Sequence, residues 1–195
     1  IWDDRVLVFD GAAISDGMAA SFVLGQSDFE TYTSITPSAN GISAPQGVAI
    51  DASTGRLFVA GWDCVVLAFD TTNLASGMAA SAVLGQPDFT TSDCDVTQTN
   101  FNDPYGLYVD PITKRLFVSD DYDNRVVIFD FVRITSGSLA GGTQGESYSR
   151  GVTTTGAQGT TTLALSGGAL PPGLSMNTAG IISGTPTSSG TYNFT

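Results

Sequence analysis

The chain has 195 residues, 42% of them apolar, which is enough to bury a core and too many for a disordered tail. Its net charge of −12, from 19 acids against seven bases, argues against a nucleic-acid groove or attachment to anionic lipid, since both need clustered Lys or Arg. The chain has no histidine, so it lacks the commonest general base, the usual catalytic zinc ligand and the Ser-His relay.

In chain order, period-2 alternation bounded by turn residues predicts short strands throughout and no amphipathic helix, so the fold class is all-β. Arg5 to Phe9 and Ser21 to Gly25 are the first two strands. Gly47-Val-Ala-Ile-Asp51 and Arg56-Leu-Phe-Val-Ala60 follow, joined by the hairpin turn Asp51-Ala-Ser-Thr-Gly55. After the turn Gly61-Trp62-Asp63 come Val65-Val-Leu-Ala-Phe69 and a fourth strand within Ala80 to Gln86. Gly106-Leu-Tyr-Val-Asp110, Arg115-Leu-Phe-Val-Ser119 and Arg125-Val-Val-Ile-Phe129 repeat the first three of these. The segment Ile134-Thr-Ser-Gly-Ser-Leu-Ala-Gly-Gly142 has the composition of a connector. Beyond it Thr alternates with apolar residues.

The strands belong to repeated units. Phe9-Asp10, with Met18-Ala-Ala-Ser-Phe-Val-Leu-Gly-Gln-Ser-Asp-Phe29, returns 60 positions later as Phe69-Asp70, with Met78-Ala-Ala-Ser-Ala-Val-Leu-Gly-Gln-Pro-Asp-Phe89. Gly47 and Arg56 recur 59 positions on, at Gly106 and Arg115, whereas Val65 and Phe69 recur 60 on, at Arg125 and Phe129. One residue is therefore lost between Phe89 and Pro104 and one gained between Asp120 and Asn124, both in predicted loops. Because the copies are cut off at both ends, the chain is expected to be part of a larger object.

Pro45-Gln-Gly-Val-Ala-Ile-Asp51 with Arg56-Leu-Phe-Val-Ala60, and Pro104-Tyr-Gly-Leu-Tyr-Val-Asp110 with Arg115-Leu-Phe-Val-Ser-Asp120 and Asn124-Arg125-Val-Val-Ile-Phe-Asp130, resemble the NHL repeat. The Val-Leu-Gly-Gln-Pro-Asp-Phe element is similar to the variety found in large bacterial surface or secreted proteins. The resemblance implies a partial β-propeller of four-stranded antiparallel blades, about two and a half of them, over residues 1–133. Trp62-Asp63-Cys64 departs from the pattern, which expects Asn-Arg there. Leu170-Pro-Pro-Gly-Leu174, Gly180-Ile-Ile-Ser-Gly-Thr-Pro186 and Gly190-Thr-Tyr192 resemble the corner, turn and strand of the bacterial putative-Ig module, which is Ig-like and cadherin-like. That implies a connector at 134–145 and, at 146–195, a small Ig-like β-sandwich short of its last strand.

Asp10, Asp70 and Asp130 follow equivalent phenylalanines, and Asp51 and Asp110 open equivalent hairpins. Such repetition assigns these acids to turns rather than to catalysis, and no catalytic residue or organic cofactor is expected. Asp51 with Arg56, and Asp110 with Arg115, are read as cross-hairpin pairs that fix register. Asp120, Asp121, Asp123 and Asn124 form the candidate calcium turn, because calcium takes roughly six to eight oxygens from closely spaced carboxylates, amides and carbonyls. The twelve-residue loop with its glycine and terminal glutamate is absent, and a solvated turn is the rival reading.

Cys64 lies in the turn before a third strand, and Cys94 in the loop to the next unit. In a four-stranded blade these connections emerge on one face, so a disulfide is open to them, with two free thiols as the alternative. Trp62 and Tyr122 are candidates for stacking a carbohydrate or peptide, against a role in packing. Asn193-Phe-Thr195 is a glycosylation-type triplet.

These features lead to an extracellular or cell-surface, non-catalytic structural or adhesive segment. Its expected partners are other copies or a longer parent chain, through open strand edges, with carbohydrate or surface protein as alternatives. No nucleic acid and no membrane insertion are expected, since no apolar run approaches the roughly 20 residues of a span. A carboxylate-dependent glycosidase or lyase is the remaining rival.

Overall fold

The computed structural model describes residues 3–12, 14–32, 37–156 and 161–195. The chain divides into two units, Ile1–Phe129 and Asp130–Thr195.

Among its described residues the first unit holds three antiparallel sheets whose strands neighbour one another in chain order. The first pairs β1 (Val6–Val8) with β2 (Phe22–Leu24). The second orders β3 (Gly47–Asp51), β4 (Arg56–Gly61), β5 (Val65–Asp70) and β6 (Ala82–Leu84) as neighbours, and the third orders β7 (Pro104–Val109), β8 (Leu116–Asp120) and β9 (Arg125–Phe129). A one-turn 3-10 helix, Thr71–Asn73, follows β5 with the Asp70 side chain as its N-cap.

Two equivalent hairpins show why the strands begin and end where they do. Between β3 and β4 the Asp51 carboxylate accepts from the Ser53 amide (3.0 Å) and from the Ser53 and Thr54 hydroxyls (2.6 and 2.8 Å), while Gly55 takes φ +64°. Between β7 and β8 the Asp110 carboxylate accepts from the Ile112 amide (2.8 Å) and the Thr113 hydroxyl, and Lys114 adopts φ +59° in the position of Gly55. The Lys114 ammonium lies 3.5 Å from Asp51, linking one hairpin to the next. Asp51 thus takes its ion pair from the neighbouring sheet, although it stands opposite Arg56 in the ladder.

The core lies between the sheets. Leu24 of β2, Ile42, Val59 of β4, Val65, Leu67 and Phe69 of β5, and Ala80 form one buried cluster, with Val6 and Val8 of β1 packed against it. Burying a Val, Leu or Phe side chain contributes about 1.5–3 kcal/mol, so this face holds the first sheet on the second. The second and third sheets approach where β7 lies beside β3 and β4. A Cβ at Gly47 would fall on the Tyr105 carbonyl oxygen, so only glycine permits that approach.

The second unit contains β10 (Arg133–Ile134) paired with β12 (Thr154–Thr155), and a three-stranded sheet ordered β11 (Tyr148–Gly151), β14 (Ile181–Gly184), β13 (Leu174–Met176). Gly168 bridges Phe194. In the segment 134–145, read as a connector, Ile134 pairs with Thr154, the Thr135 amide donates to the Thr153 carbonyl (2.8 Å), and the Tyr148 hydroxyl donates to the Ala140 carbonyl (2.9 Å). One expectation is corrected here. The Gly180 to Pro186 motif, expected as a turn, supplies the central strand β14, whose Ile182 is buried between β11 and β13.

Candidate functional site

The turns that precede β1, β5 and β9 carry the chain's most unusual chemistry. They align 60 positions apart as Asp3-Asp4-Arg5, Asp63-Cys64-Val65 and Asp123-Asn124-Arg125. The central residue is left-handed in every copy, with φ of 44° at Asp4, 60° at Cys64 and 50° at Asn124. Asn and Asp tolerate that conformation, whereas a Cys there is unusual.

The repeated Gly-Gln of the Val-Leu-Gly-Gln element serves these turns. The Gln26 amide nitrogen donates to the Asp4 carbonyl (3.3 Å), and that of Gln86 donates to the Cys64 carbonyl (3.2 Å). Gly25 and Gly85, at φ +89° and +90°, press so close that a Cβ would lie 2.8 and 2.9 Å from those same carbonyls.

In the third copy the turn is ionic. Asp120 is fully buried, accepting from the Asn102 amide (2.6 Å) and from Arg125 Nε (2.8 Å). Arg125 Nη1 and Nη2 donate to the Thr97 and Asn100 carbonyls (2.8 and 2.7 Å), and Nη2 lies 3.4 Å from Asp123. In the first copy Arg5 donates to the Phe29 carbonyl (2.7 Å) and pairs with Asp3 (3.2 Å).

The middle copy has Val65 in place of that arginine, and a covalent bond instead: Cys64 and Cys94 form a disulfide with Cα atoms 5.5 Å apart. Gln86 holds the same loop by exchanging hydrogen bonds with Asp93 (2.6 and 3.1 Å). The loop around residues 93–100 is therefore tied to the second sheet by a disulfide and to the third by Arg125.

Among the described residues Asp63 has no counterion. Its Oδ1 is buried with no hydrogen-bond partner, and burial, reinforced by the charge of Asp4, pushes its carboxyl up to about 6. Asp4 itself accepts from the Ala44 amide (2.7 Å). Five repeated acids are held the other way. At Asp28, Asp70, Asp88 and Asp110, bonds from nearby Thr side chains and from turn amides keep the carboxyl below its usual range. At Asp51 burial works to raise the carboxyl, but the Ser53 and Thr54 bonds and Lys114 together outweigh it.

The candidate calcium turn does not gather its ligands. Asp120 and Asp123 are turned to Arg125, Asp121 is exposed, and the Asn124 amide donates to the Tyr122 carbonyl (3.4 Å). Among the described residues no three His, Cys, Asp or Glu side chains converge as a metal site requires. The cause is Arg125, which neutralises the carboxylates that an ion would have shared. Trp62 and Tyr122 occupy equivalent turns with both rings exposed, and their amides donate to the equivalent carbonyls of Ser43 and Asn102 (2.9 and 3.2 Å). Asn193 is exposed beside Phe194, on the segment whose Thr195 exchanges backbone bonds with Ser166 and Gly167.

Sequence reasoning missed the buried Asp120–Arg125 pair and the isolation of Asp63. The second was signalled by Val65 standing where the other copies have Arg. The second unit also encloses a cleft of about 660 Å³ lined by Leu139, Tyr148, Leu163, Leu174, Met176 and Tyr192, among others.

Residues 131–195 match the family described as "Putative Ig domain", a module typical of extracellular or surface proteins. No curated protein matches the chain. Among the described residues no helix is long and apolar enough to cross a membrane.

Proposed function

We propose that the chain is a non-catalytic structural or adhesive segment of an extracellular or cell-surface protein. In this reading its first unit is a run of NHL-type propeller blades and its second an Ig-like module. The blades work as a rigid platform that joins other copies, or a longer parent chain, into a ring or fibre. The observation that carries the reading is where the turn chemistry goes. The repeated carboxylates are spent on turn amides, hydroxyls and arginines, and the loop at 93–100 is cross-linked to two successive sheets. That arrangement spends polar groups on stiffness. Static light scattering and negative-stain microscopy of the purified chain test it: rings or fibres are expected, and small monodisperse monomers alone would overturn the assembly.

A second reading is favoured by one observation, the exposure of Trp62 and Tyr122 in equivalent turns. Aromatic faces repeated along one rim suit a carbohydrate or an extended peptide. A glycan array compared between the native chain and Trp62→Ala/Tyr122→Ala tests this. Hits lost in the variant support the reading, and no hits for the native chain counts against it.

A further inference from the structure

We propose that the peptide bond between Asp103 and Pro104 is a self-cleavage site, at which the Asp103 carboxylate attacks its own main-chain carbonyl carbon and expels the Pro104 nitrogen. The inference concerns the first unit alone and does not depend on the assembly reading.

The chain contains two Asp-Pro bonds, at 103–104 and 110–111. Such a bond is chemically weak. The side-chain carboxylate can close on the adjoining carbonyl carbon as a cyclic anhydride, and the proline nitrogen, part of a tertiary amide, leaves as a secondary amine once protonated. The two bonds are held in opposite ways. Asp110 has both carboxylate oxygens occupied, Oδ1 by the Ile112 amide (2.8 Å) and Oδ2 by the Thr113 hydroxyl. Asp103 sits at φ +68°, and its Oδ1 is buried with no hydrogen-bond partner among the described residues. A carboxylate oxygen deprived of water and of donors keeps its lone pairs free for attack.

The backbone around the bond is pinned. The Asn102 amide donates to Asp120 Oδ1 (2.6 Å), the Asn102 carbonyl accepts from the Tyr122 amide (3.2 Å), and Pro104 stands opposite Asp120 in the ladder. The Asp103 carbonyl accepts from the Asp121 amide (3.1 Å). That donor meets the oxygen on which negative charge collects as the carboxylate adds, the role of an oxyanion hole. A residue before proline prefers extended backbone, and a non-glycine residue at positive φ is uncommon, so the scissile peptide is held away from its relaxed form.

The preceding copy shows that this backbone belongs to the fold. Ala44-Pro45 lies 59 positions before Asp103-Pro104, and Ala44 is also left-handed, at φ +38°. Alanine offers no nucleophile there. The third copy places a carboxylate on the same conformation.

The reaction balances with one water. A bond forms from Asp103 Oδ to the Asp103 carbonyl carbon, the bond from that carbon to the Pro104 nitrogen breaks, and the nitrogen takes its proton from solvent. Water then opens the anhydride, leaving a free α-carboxyl and a restored side chain on Asp103. Both cysteines of the disulfide precede the cut, so that bond does not join the fragments.

The test incubates the purified chain at pH 5 and pH 7, folded and in urea, and reads the reduced products by intact mass spectrometry, with circular dichroism to verify folding. The expected products are fragments 1–103 and 104–195, whose masses sum to that of the chain plus one water, formed faster at pH 5. In the folded chain the cut at 103–104 should outpace that at 110–111 at least ~10-fold, and urea should bring the two rates to within about 2-fold. Asp103→Ala, which copies Ala44-Pro45 and so suits the fold, should abolish the cut. No fragments from the folded chain, equal cutting at the two bonds, or a preference for 103–104 that survives urea would each overturn the site and leave the assembly reading to its own test.

Discussion

Replacing Asp63 with Asn should make the protein more stable at neutral pH and leave it unchanged in mild acid. The Asp63 carboxyl rises from an ordinary 3.8 to about 6 in the folded chain because burial disfavours its charge and Asp4 adds repulsion. A group whose folded value lies above its unfolded value binds its proton more tightly when folded. Its contribution is complete below about pH 4 and is lost as pH rises toward about 6 and beyond. The shift of about two units corresponds to at most ~3 kcal/mol. Partial exposure of the side chain reduces this to ~1–2 kcal/mol. Asn removes the charge, so Asp63→Asn should exceed the native chain by ~1–2 kcal/mol at pH 7 and match it at pH 4. Urea unfolding at pH 4, 5, 6, 7 and 8, with the disulfide intact, measures the difference directly. The depressed carboxyls at Asp51, Asp70, Asp88 and Asp110 lose their contribution as pH falls below about 4, but they are common to both proteins and cancel. Parallel curves from pH 4 to 8, or a variant less stable at pH 7, would refute the assignment of Asp63 as a buried, uncompensated charge.

Three further outcomes are expected. Cys64→Ser/Cys94→Ser should lower stability by about 3–4 kcal/mol, because the bond closes a loop 30 residues in span, and a thermal melt with and without reductant should show the same loss for the native chain. Arg125→Ala should cost about 3–5 kcal/mol in chemical unfolding, since it strands the fully buried Asp120, and Asp120→Asn in the same background should recover part of that loss. Gly47→Ala should destabilise the first unit by several kcal/mol, whereas Gly137→Ala, whose Cβ would meet nothing within 4 Å, should stay within about 0.5 kcal/mol of the native chain.

The strands of the second sheet were legible because short apolar runs stand between turn residues. Gly47–Asp51 was read residue for residue, and Arg56–Gly61 and Val65–Asp70 to within one position. The acids that open hairpins were legible for the same reason, since an Asp followed two or three residues later by Ser or Thr can close its own turn. Arg125 was not legible in this way. Its partners Thr97 and Asn100 lie in a loop without periodicity, and only the fold brings them 25 to 28 positions back to it. At 134–145 composition left a linker or an irregular edge open, and the bond from the Thr135 amide to the Thr153 carbonyl, 18 positions on, was not legible in it. At Ile181–Gly184 the family resemblance implied a turn, and the decisive feature was instead the pair of strands available on either side of Ile182.

The disulfide also sets how the first unit would yield under tension. Pulled from its ends, the chain cannot pay out the residues between Cys64 and Cys94, so about 100 Å of contour stays hidden until a reductant reaches the bond. That protected segment contains β5, β6 and the Gln86 clasp, while the hydrogen bonds from Arg125 to the Thr97 and Asn100 carbonyls lie outside it and are free to part first. Strands on either side of the cysteine pair can pay out, beginning at the arginine clasp, but the segment between the two cysteines cannot. The position of one cysteine pair divides the repeat into a part that stretches and a part that does not.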